Sequence, residues 1–218
     1  PERGAGYSGG PGDRSAIAPP RVPGEAGGKR LVSIAASTGG PMALQRVLAG
    51  LPANLNAGLV IVLHIAAGFV HPLAERLDEL FQVAVRAARD GEWITPGVAL
   101  IAPNGVHLTV VRRDGRLMAR LVAEPSDTLH RPSADVLFES IASCCAAETC
   151  GVILTGMGND GALGLRSIRR AGGYTIAQDE ATSIVYGMPR RAVELGGVDV
   201  SLPLDQIAAE IVRVTADT

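Results

Sequence analysis

The sequence predicts an α/β fold of three layers, an αβα sandwich with a doubly wound, mostly parallel sheet and one β-hairpin. Three observations predict it. Short apolar runs alternate along the chain with segments of helical periodicity. Several runs are apolar on both faces, which is typical of central parallel strands buried on each side. The pair Asp114-Gly115 separates two strand-like segments, as in a two-residue hairpin turn.

The predicted elements follow from these patterns in chain order. Parallel strands are predicted at 31–36, 58–64, 83–88, 98–102, 151–155, 174–178 and 198–202, and the hairpin at 107–112 and 117–122. Helices are predicted after Pro41, over 73–80 and 133–147, after Asp160 and over 207–214. Because strand–helix–strand crossovers are right-handed, the helices should cover both faces of one sheet.

Composition bounds the domain organisation. The chain has 218 residues, of which 47% are hydrophobic, enough for one domain with a sizeable core. Residues 1–30 contain eight Gly and five Pro and almost no apolar residues, so they are predicted to be a disordered linker or leader. The folded domain is predicted to be 31–218.

Charge and residue usage exclude several classes of function. Twenty Lys and Arg against 22 Asp and Glu, with 3% aromatic residues, argue against nucleic-acid binding. The longest apolar run, 57–70, is shorter than the roughly 18 residues that a membrane span needs. The cysteines Cys144, Cys145 and Cys150 lie within seven residues and do not form a disulfide framework, which indicates a reducing compartment. The first two are predicted to be small core residues.

A candidate nucleophile follows the first predicted strand. In an open parallel sheet, ligands bind beyond the carboxyl ends of the strands. There Ser37 stands at a strand-to-helix corner, before Gly39 and Gly40, which allow a tight turn. The segment matches neither GxSxG nor a phosphate-binding fingerprint. A nucleophilic serine, an anion-binding nest and a plain structural turn all remain open on spacing alone.

Two further polar residues follow other strands. His64 ends the second predicted strand, where a lone histidine is either a core residue or a catalytic base. Asp160 follows the fifth predicted strand, and it either caps the next helix or orients an imidazole. Neighbouring strand ends could bring Ser37, His64 and Asp160 together. The sequence has no HxxxH or CxxC spacing, so no metal site and no cofactor are expected.

Four motifs occur in order: IAASTGG at 34–40, HRPSADVLF at 130–138, LTGMGNDGA at 154–162, and AQDE at 177–180 with YGMP at 186–189. They resemble IGASTGG, HRPSxDVLF, LTGMGxDGA and AQDE…GMP of the chemotaxis protein-glutamate methylesterases, the CheB type. The resemblance covers about 31–215. One segment departs from the family, which usually reads QHMPxGF where this chain has LHIAAGF at 63–69, with Ala66 in place of Pro.

The resemblance implies a role for each candidate residue. Ser37 would be the nucleophile, His64 the general base and Asp160 the residue that orients His64. Other residues would contribute backbone N–H groups that stabilise the oxyanion or would contact the substrate. The oxyanion donors would be Thr38 and Met157, and the substrate contacts Gly39, Gly40, His130 and Arg131.

The resemblance also implies a substrate and partners. The substrate would be a γ-glutamyl methyl ester on a cytoplasmic helix of a chemoreceptor, and some receptor glutamines would be deamidated by the same route. A cytoplasmic monomer is expected. The family usually has an N-terminal receiver domain, whose acidic residues do not precede Leu31, so a catalytic fragment or a differently regulated paralogue is expected. The alternatives are a non-enzymatic anion-binding module and a small-molecule esterase or amidase.

Overall fold

The computed structural model describes residues 30–216, and the predicted linker at 1–30 lies outside them except for Arg30. A seven-stranded sheet forms the centre, and all of its strand pairs are parallel. The strands are β1 (Leu31–Ala36), β2 (Gly58–Leu63), β3 (Ala84–Ala87), β5 (Val98–Ile101), β8 (Thr149–Ile153), β9 (Tyr174–Gln178) and β10 (Val200–Leu202). Their order across the sheet is β10-β9-β8-β1-β2-β5-β3.

The central strands β1 and β2 show why apolar residues on both faces predicted parallel strands. All residues of β1 and β2 are buried, and the strands pair in register from Leu31 opposite Gly58 to Ala36 opposite Leu63. Side chains of each strand alternate between two apolar layers, so both faces need apolar residues. The predicted fold class is confirmed. The strand predicted at 151–155 starts and ends two residues earlier, since β8 spans Thr149–Ile153.

Helices cover both faces of the sheet. The helices are α1 (Gly40–Ala49), α2 (Val70–Leu80), α3 (Ala134–Cys144), α4 (Ala162–Arg170), α5 (Met188–Glu194) and α6 (Leu204–Thr215), with a 3₁₀ turn at Ala146–Glu148. Buried residues of α1, α2 and α6 pack on one face, and those of α3, α4 and α5 pack on the other. The short helix α5 was not predicted, because its seven residues offer too few apolar positions to show a period.

The hairpin forms a second, smaller sheet. Strands β6 (His107–Arg113) and β7 (Arg116–Val122) pair antiparallel, and the turn residues Asp114 and Gly115 have φ of 48° and 74°, as the Asp-Gly signal predicts. The two-residue strand β4 (Glu92–Trp93), which was not predicted, pairs with β7. The hairpin packs against α3 in the same apolar layer.

Candidate active site

The three candidate catalytic residues follow three neighbouring strands. In the sheet, β1 lies between β8 and β2. Ser37 follows β1, His64 follows β2, and Asp160 lies in the loop after β8. From β1 the chain continues to β2 on one side of β1, whereas from β8 it continues to β9 in the opposite direction across the sheet. The strand order therefore reverses between β1 and β8. At such a point a crevice opens at the carboxyl ends of the strands, which is the usual ligand position in an open α/β sheet.

Ser37 lies in a turn that is held from two sides. Its N–H donates to the carbonyl of Thr155 (3.0 Å), and its carbonyl accepts from the N–H of Gly40 (2.7 Å). Gly39 has a φ of 79°, which side-chain-bearing residues rarely adopt. The residue therefore sits at the sharp corner between β1 and α1, partly exposed.

His64 and Asp160 form a direct hydrogen bond. The distance from His64 Nε2 to Asp160 Oδ2 is 2.9 Å, and the two side chains are only 10% and 12% exposed. The backbone N–H of His64 donates to the carbonyl of Ala36 (3.0 Å), which ties the residue to the end of β1. An ionised carboxylate can only accept, so this contact places a proton on Nε2 and leaves the lone pair on Nδ1.

Asp160 is held by the start of α3. Its carboxylate accepts from the N–H groups of Ala134 (2.7 Å) and Asp135 (3.0 Å) and from the hydroxyl of Ser133 (2.8 Å). The structure thus decides against Asp160 as the cap of the following helix, because the N-cap of α4 is Gly161 and that helix start has no side-chain cap. Asp160 instead satisfies the exposed donors of a helix that precedes it in the chain.

These contacts set the ionisation of Asp160. Burial acts to raise the pKa of its carboxyl group, but the hydrogen bonds from His64, the Asp135 and Ala134 N–H groups and Ser133 outweigh burial. The pKa falls to about 2 as a result. Asp160 is therefore a fixed anion at neutral pH, suited to orienting an imidazole and stabilising its protonated form.

The free nitrogen of His64 has no partner among residues 30–216. Its Nδ1 atom is buried and makes no hydrogen bond with that part of the chain. No hydrogen bond joins it to the Ser37 hydroxyl there, and in enzymes without substrate this contact is often long. Because Nε2 carries the proton in the contact with Asp160, this unpaired Nδ1 atom has the lone pair that can accept a proton.

The loop after β8 packs directly against Ser37. A Cβ atom on Gly156 would lie 2.8 Å from Ser37 Cβ and 2.3 Å from Met188 Sδ, so only glycine fits there. The N–H groups of Thr38 and Met157 donate to no acceptor in the described part of the chain. Both residues are exposed, and Met157 is adjacent to Gly156. Two open N–H donors thus flank the predicted nucleophile.

The predicted substrate contacts differ in their surroundings. The ring of His130 stacks on that of His64, with centroids 4.2 Å apart and planes 22° from parallel. Burial, followed by the charge of His64, lowers the pKa of His130, although Asp160 acts to raise it. Arg131 instead directs its guanidinium to the carbonyl of Ser126 (2.9 Å).

Two glycines complete this group. The Cα of Gly39 lies against the side chain of Ile184, and Gly40 is buried against Leu63. Gly40 packs inside the domain, and its contact with a substrate stays a prediction. Its side-chain-free surface lets α1 approach the end of β2.

Sequence reasoning missed three residues that hold the site. Ser133 is the N-cap of α3, and a serine before a helical pattern is a signal that could have identified it. Thr155 donates through Oγ1 to the carbonyl of Thr38 (3.0 Å), joining the loops after β8 and β1. Gln178 accepts from the Thr155 N–H (2.8 Å), and only the tertiary structure brings that pair together.

Among residues 30–216 no group of three His, Cys, Asp or Glu side chains is arranged to hold a metal ion. No helix within the same range has the length and apolar character needed to cross a membrane.

Known proteins are similar to this chain in sequence. The chain is 52% identical over 195 residues to a protein-glutamate methylesterase/protein-glutamine glutaminase of Moorella thermoacetica, covering 89% of this chain and 46% of that protein. A protein of the same name from Pseudomonas aeruginosa, number 2, is 50% identical over 188 residues, which is 86% of this chain and 54% of that protein. The chain thus spans about half the length of these curated relatives.

A solved structure and a family model agree with these relatives. The crystal structure of the Thermotoga maritima CheB methylesterase catalytic domain superposes with a TM-score of 0.82 at 36% identity. The match covers 85% of this chain and 98% of that one. The CheB methylesterase family model matches residues 32–211. The chain that places Ser37, His64 and Asp160 at one edge of its sheet therefore belongs to the CheB methylesterase family.

Proposed function

We propose that this domain hydrolyses γ-glutamyl methyl esters on chemoreceptors through an acyl-enzyme formed on Ser37. The observation that carries the proposal is the His64–Asp160 pair, with its unpaired Nδ1 at the strand end next to Ser37. The curated relatives are named protein-glutamate methylesterase/protein-glutamine glutaminase, which supports both ester hydrolysis and deamidation as activities of this chain.

In the proposed reaction His64 is the general base. Nδ1 takes the proton of the Ser37 hydroxyl as Oγ attacks the ester carbonyl, and Asp160 stabilises the resulting imidazolium. His64 then gives this proton to the departing methoxide, and methanol leaves. Water, deprotonated by His64, attacks the acyl-enzyme, and the free glutamate is released as the proton returns to Ser37 Oγ.

The N–H groups of Thr38 and Met157 stabilise the negative oxygen of each tetrahedral intermediate. Support comes from their open donors and from the contact of Gly156 with Ser37. Backbone donors held by a rigid turn need little rearrangement as charge develops, which makes such stabilisation a large contribution to the rate.

The surroundings of the site favour a substrate carried on a protein. Five large apolar side chains are exposed on the segments that follow β1, β2, β8 and β9 or precede α3. They are Met42, Phe69, Leu129, Met157 and Ile184. Exposed apolar groups around a site are typical of protein contact surfaces. A receptor helix in the cytoplasm could rest on these side chains while its glutamyl ester reaches Ser37.

Methanol release from methylated receptor membranes tests this proposal. The wild-type chain should release methanol, and Ser37→Ala should not, while both keep the same far-UV circular dichroism. A small-molecule esterase would instead hydrolyse a soluble ester but leave the receptor methylated. An anion-binding module would do neither, and a serine-directed fluorophosphonate would fail to label Ser37.

A further inference from the structure

Two adjacent cysteines lie at the opposite edge of the sheet from the candidate active site. Cys144 is the last residue of α3, and Cys145 follows it at the helix end. The 3₁₀ turn then leads into β8 at Thr149, the amino end of that strand. Neither sulfur takes part in the ester hydrolysis proposed above.

The two thiols are in direct contact. Their Sγ atoms are 3.1 Å apart and share a hydrogen bond. Cys145 is buried at 6% exposure, whereas Cys144 is only partly buried. The prediction that both are core residues is confirmed for Cys145, whereas Cys144 packs against the edge of the core and is only partly buried, because the helix ends there.

A cleft gives small molecules access to this pair. Its volume is about 480 Å³, and both cysteines line it together with Glu148 and several alanines. Arg112 lies close by and is paired with Glu148. The small side chains leave room for a solute beside the sulfurs.

The surroundings shift the pKa values of the two thiols in opposite directions. The hydrogen bond with Cys145, followed by a smaller contribution from Arg112, lowers the pKa of Cys144, although burial opposes this. The same hydrogen bond and burial raise the pKa of Cys145. Cys144 is thus the sulfur that ionises first, and thiolates are the nucleophilic form of cysteine.

We propose that Cys144 and Cys145 form a redox-sensitive dithiol that a hydroperoxide oxidises to a reversible disulfide. The Cys144 thiolate attacks one oxygen of hydrogen peroxide, the O–O bond breaks, and a sulfenic acid forms on Cys144. The departing hydroxide takes up the proton that the Cys144 thiol had released and becomes the first water. The Cys145 sulfur then attacks the Cys144 sulfur, the S–O bond breaks, and a second water departs with the Cys145 proton. The two thiols lose two electrons and two protons, and hydrogen peroxide becomes two waters.

The geometry of the pair favours a disulfide that forms readily and is also easily reduced. To form the bond, the two Sγ atoms need to approach by only about 1 Å from their distance of 3.1 Å. Adjacent Cα atoms are about 3.8 Å apart, however, below the usual separation of disulfide-linked residues. A disulfide with such strain has a more oxidising potential and suits reversible regulation.

Peptide mass mapping of the full chain tests the proposal. The reduced protein is treated with hydrogen peroxide, alkylated under denaturing conditions and digested. We expect the peptide with Cys144 and Cys145 to lose two hydrogens and to carry alkyl label only on Cys150. Dithiothreitol should restore labelling of all three cysteines. Oxidation of Cys144 to a sulfinic acid, or a disulfide that includes Cys150, would overturn the proposal.

Variants separate the two sulfurs. In Cys145→Ala the sulfenic acid on Cys144 should persist and react with dimedone, and in Cys144→Ser no disulfide should form. Cys150→Ala is the matched control, because it removes a buried thiol of the same cluster and should keep the loss of two hydrogens. If a variant does not fold, the peptide mapping of the wild-type chain decides by itself. A disulfide-linked dimer in that experiment would also contradict the proposal, because the proposed disulfide lies within one chain.

Discussion

Replacing Asp160 with Asn should destabilise the fold by an amount that depends on pH. The structure lowers the pKa of this carboxyl group from 3.8 to about 2. That difference corresponds to roughly 2 kcal/mol of stabilisation by the ionised form. Because the folded pKa is the lower one, this stabilisation is fully present above pH 3.8 and is lost as the pH falls through about 2.

The expected magnitude follows from linkage. At pH 7 the Asp160→Asn variant should lose about 2 kcal/mol of unfolding free energy relative to wild type. At pH 3 the difference in unfolding free energy between the two proteins should be about 1 kcal/mol smaller, because part of the stabilisation by the ionised Asp160 carboxylate of the wild type is already lost. Carboxyl groups distant from Asp160 titrate alike in both proteins and cancel in the comparison. Asp135 does not cancel fully, because burial and the charge of Asp160 raise its pKa and the variant removes that charge.

Urea unfolding of both proteins at pH 7 and pH 3 measures these differences. Asp114→Asn serves as a control for the substitution itself, because Asp114 is an exposed turn residue and Asn tolerates its positive φ. That control should change stability by less than about 0.5 kcal/mol at pH 7. A deficit of Asp160→Asn that stays constant between pH 7 and pH 3 would refute the reasoning, since it would mean that the ionised carboxylate is not preferentially stabilised.

Three further predictions concern the site. Ser37→Ala should lower kcat by roughly 10⁶, His64→Ala by about as much, and the double variant little more, because the two act as a unit. Additive losses of methanol release in the double variant would contradict the triad. Asp160→Asn should lower kcat by less than Ser37→Ala or His64→Ala does. His130→Arg should lower kcat/KM by about tenfold or more, since a cation would face the imidazolium of His64, whereas His130→Phe should keep the stack and most activity. Equal losses in the two variants would exclude this charge effect. Gly156→Ala should reduce the unfolding free energy by about 1–3 kcal/mol, because its Cβ would overlap Met188 and press on Ser37. Unchanged thermal unfolding would show that the loop relaxes without cost.

The sequence predicted the elements that have a clear local signal. Strands β1 and β2 carry apolar residues on both faces, and the Asp114-Gly115 turn has a preferred backbone geometry, so both patterns predicted the observed structure. The corner at Ser37 was also predictable, because a glycine pair and Pro41 after a strand indicate a turn into a helix. The two-residue strand β4 was missed, since it is too short to show alternation.

The sequence by itself determined which residues are available for chemistry: Ser37, His64 and Asp160 each follow a strand, and their motifs resemble one family. Only the tertiary structure decided what each residue contacts. Asp160 lies next to a helical pattern that it could cap, yet it holds the start of α3 and bonds His64 instead. The stack of His130 on His64 likewise joins residues far apart in the chain. Such contacts depend on strand order and helix packing, which local periodicity does not encode, because a residue's nearest neighbours in a folded sheet come from distant segments.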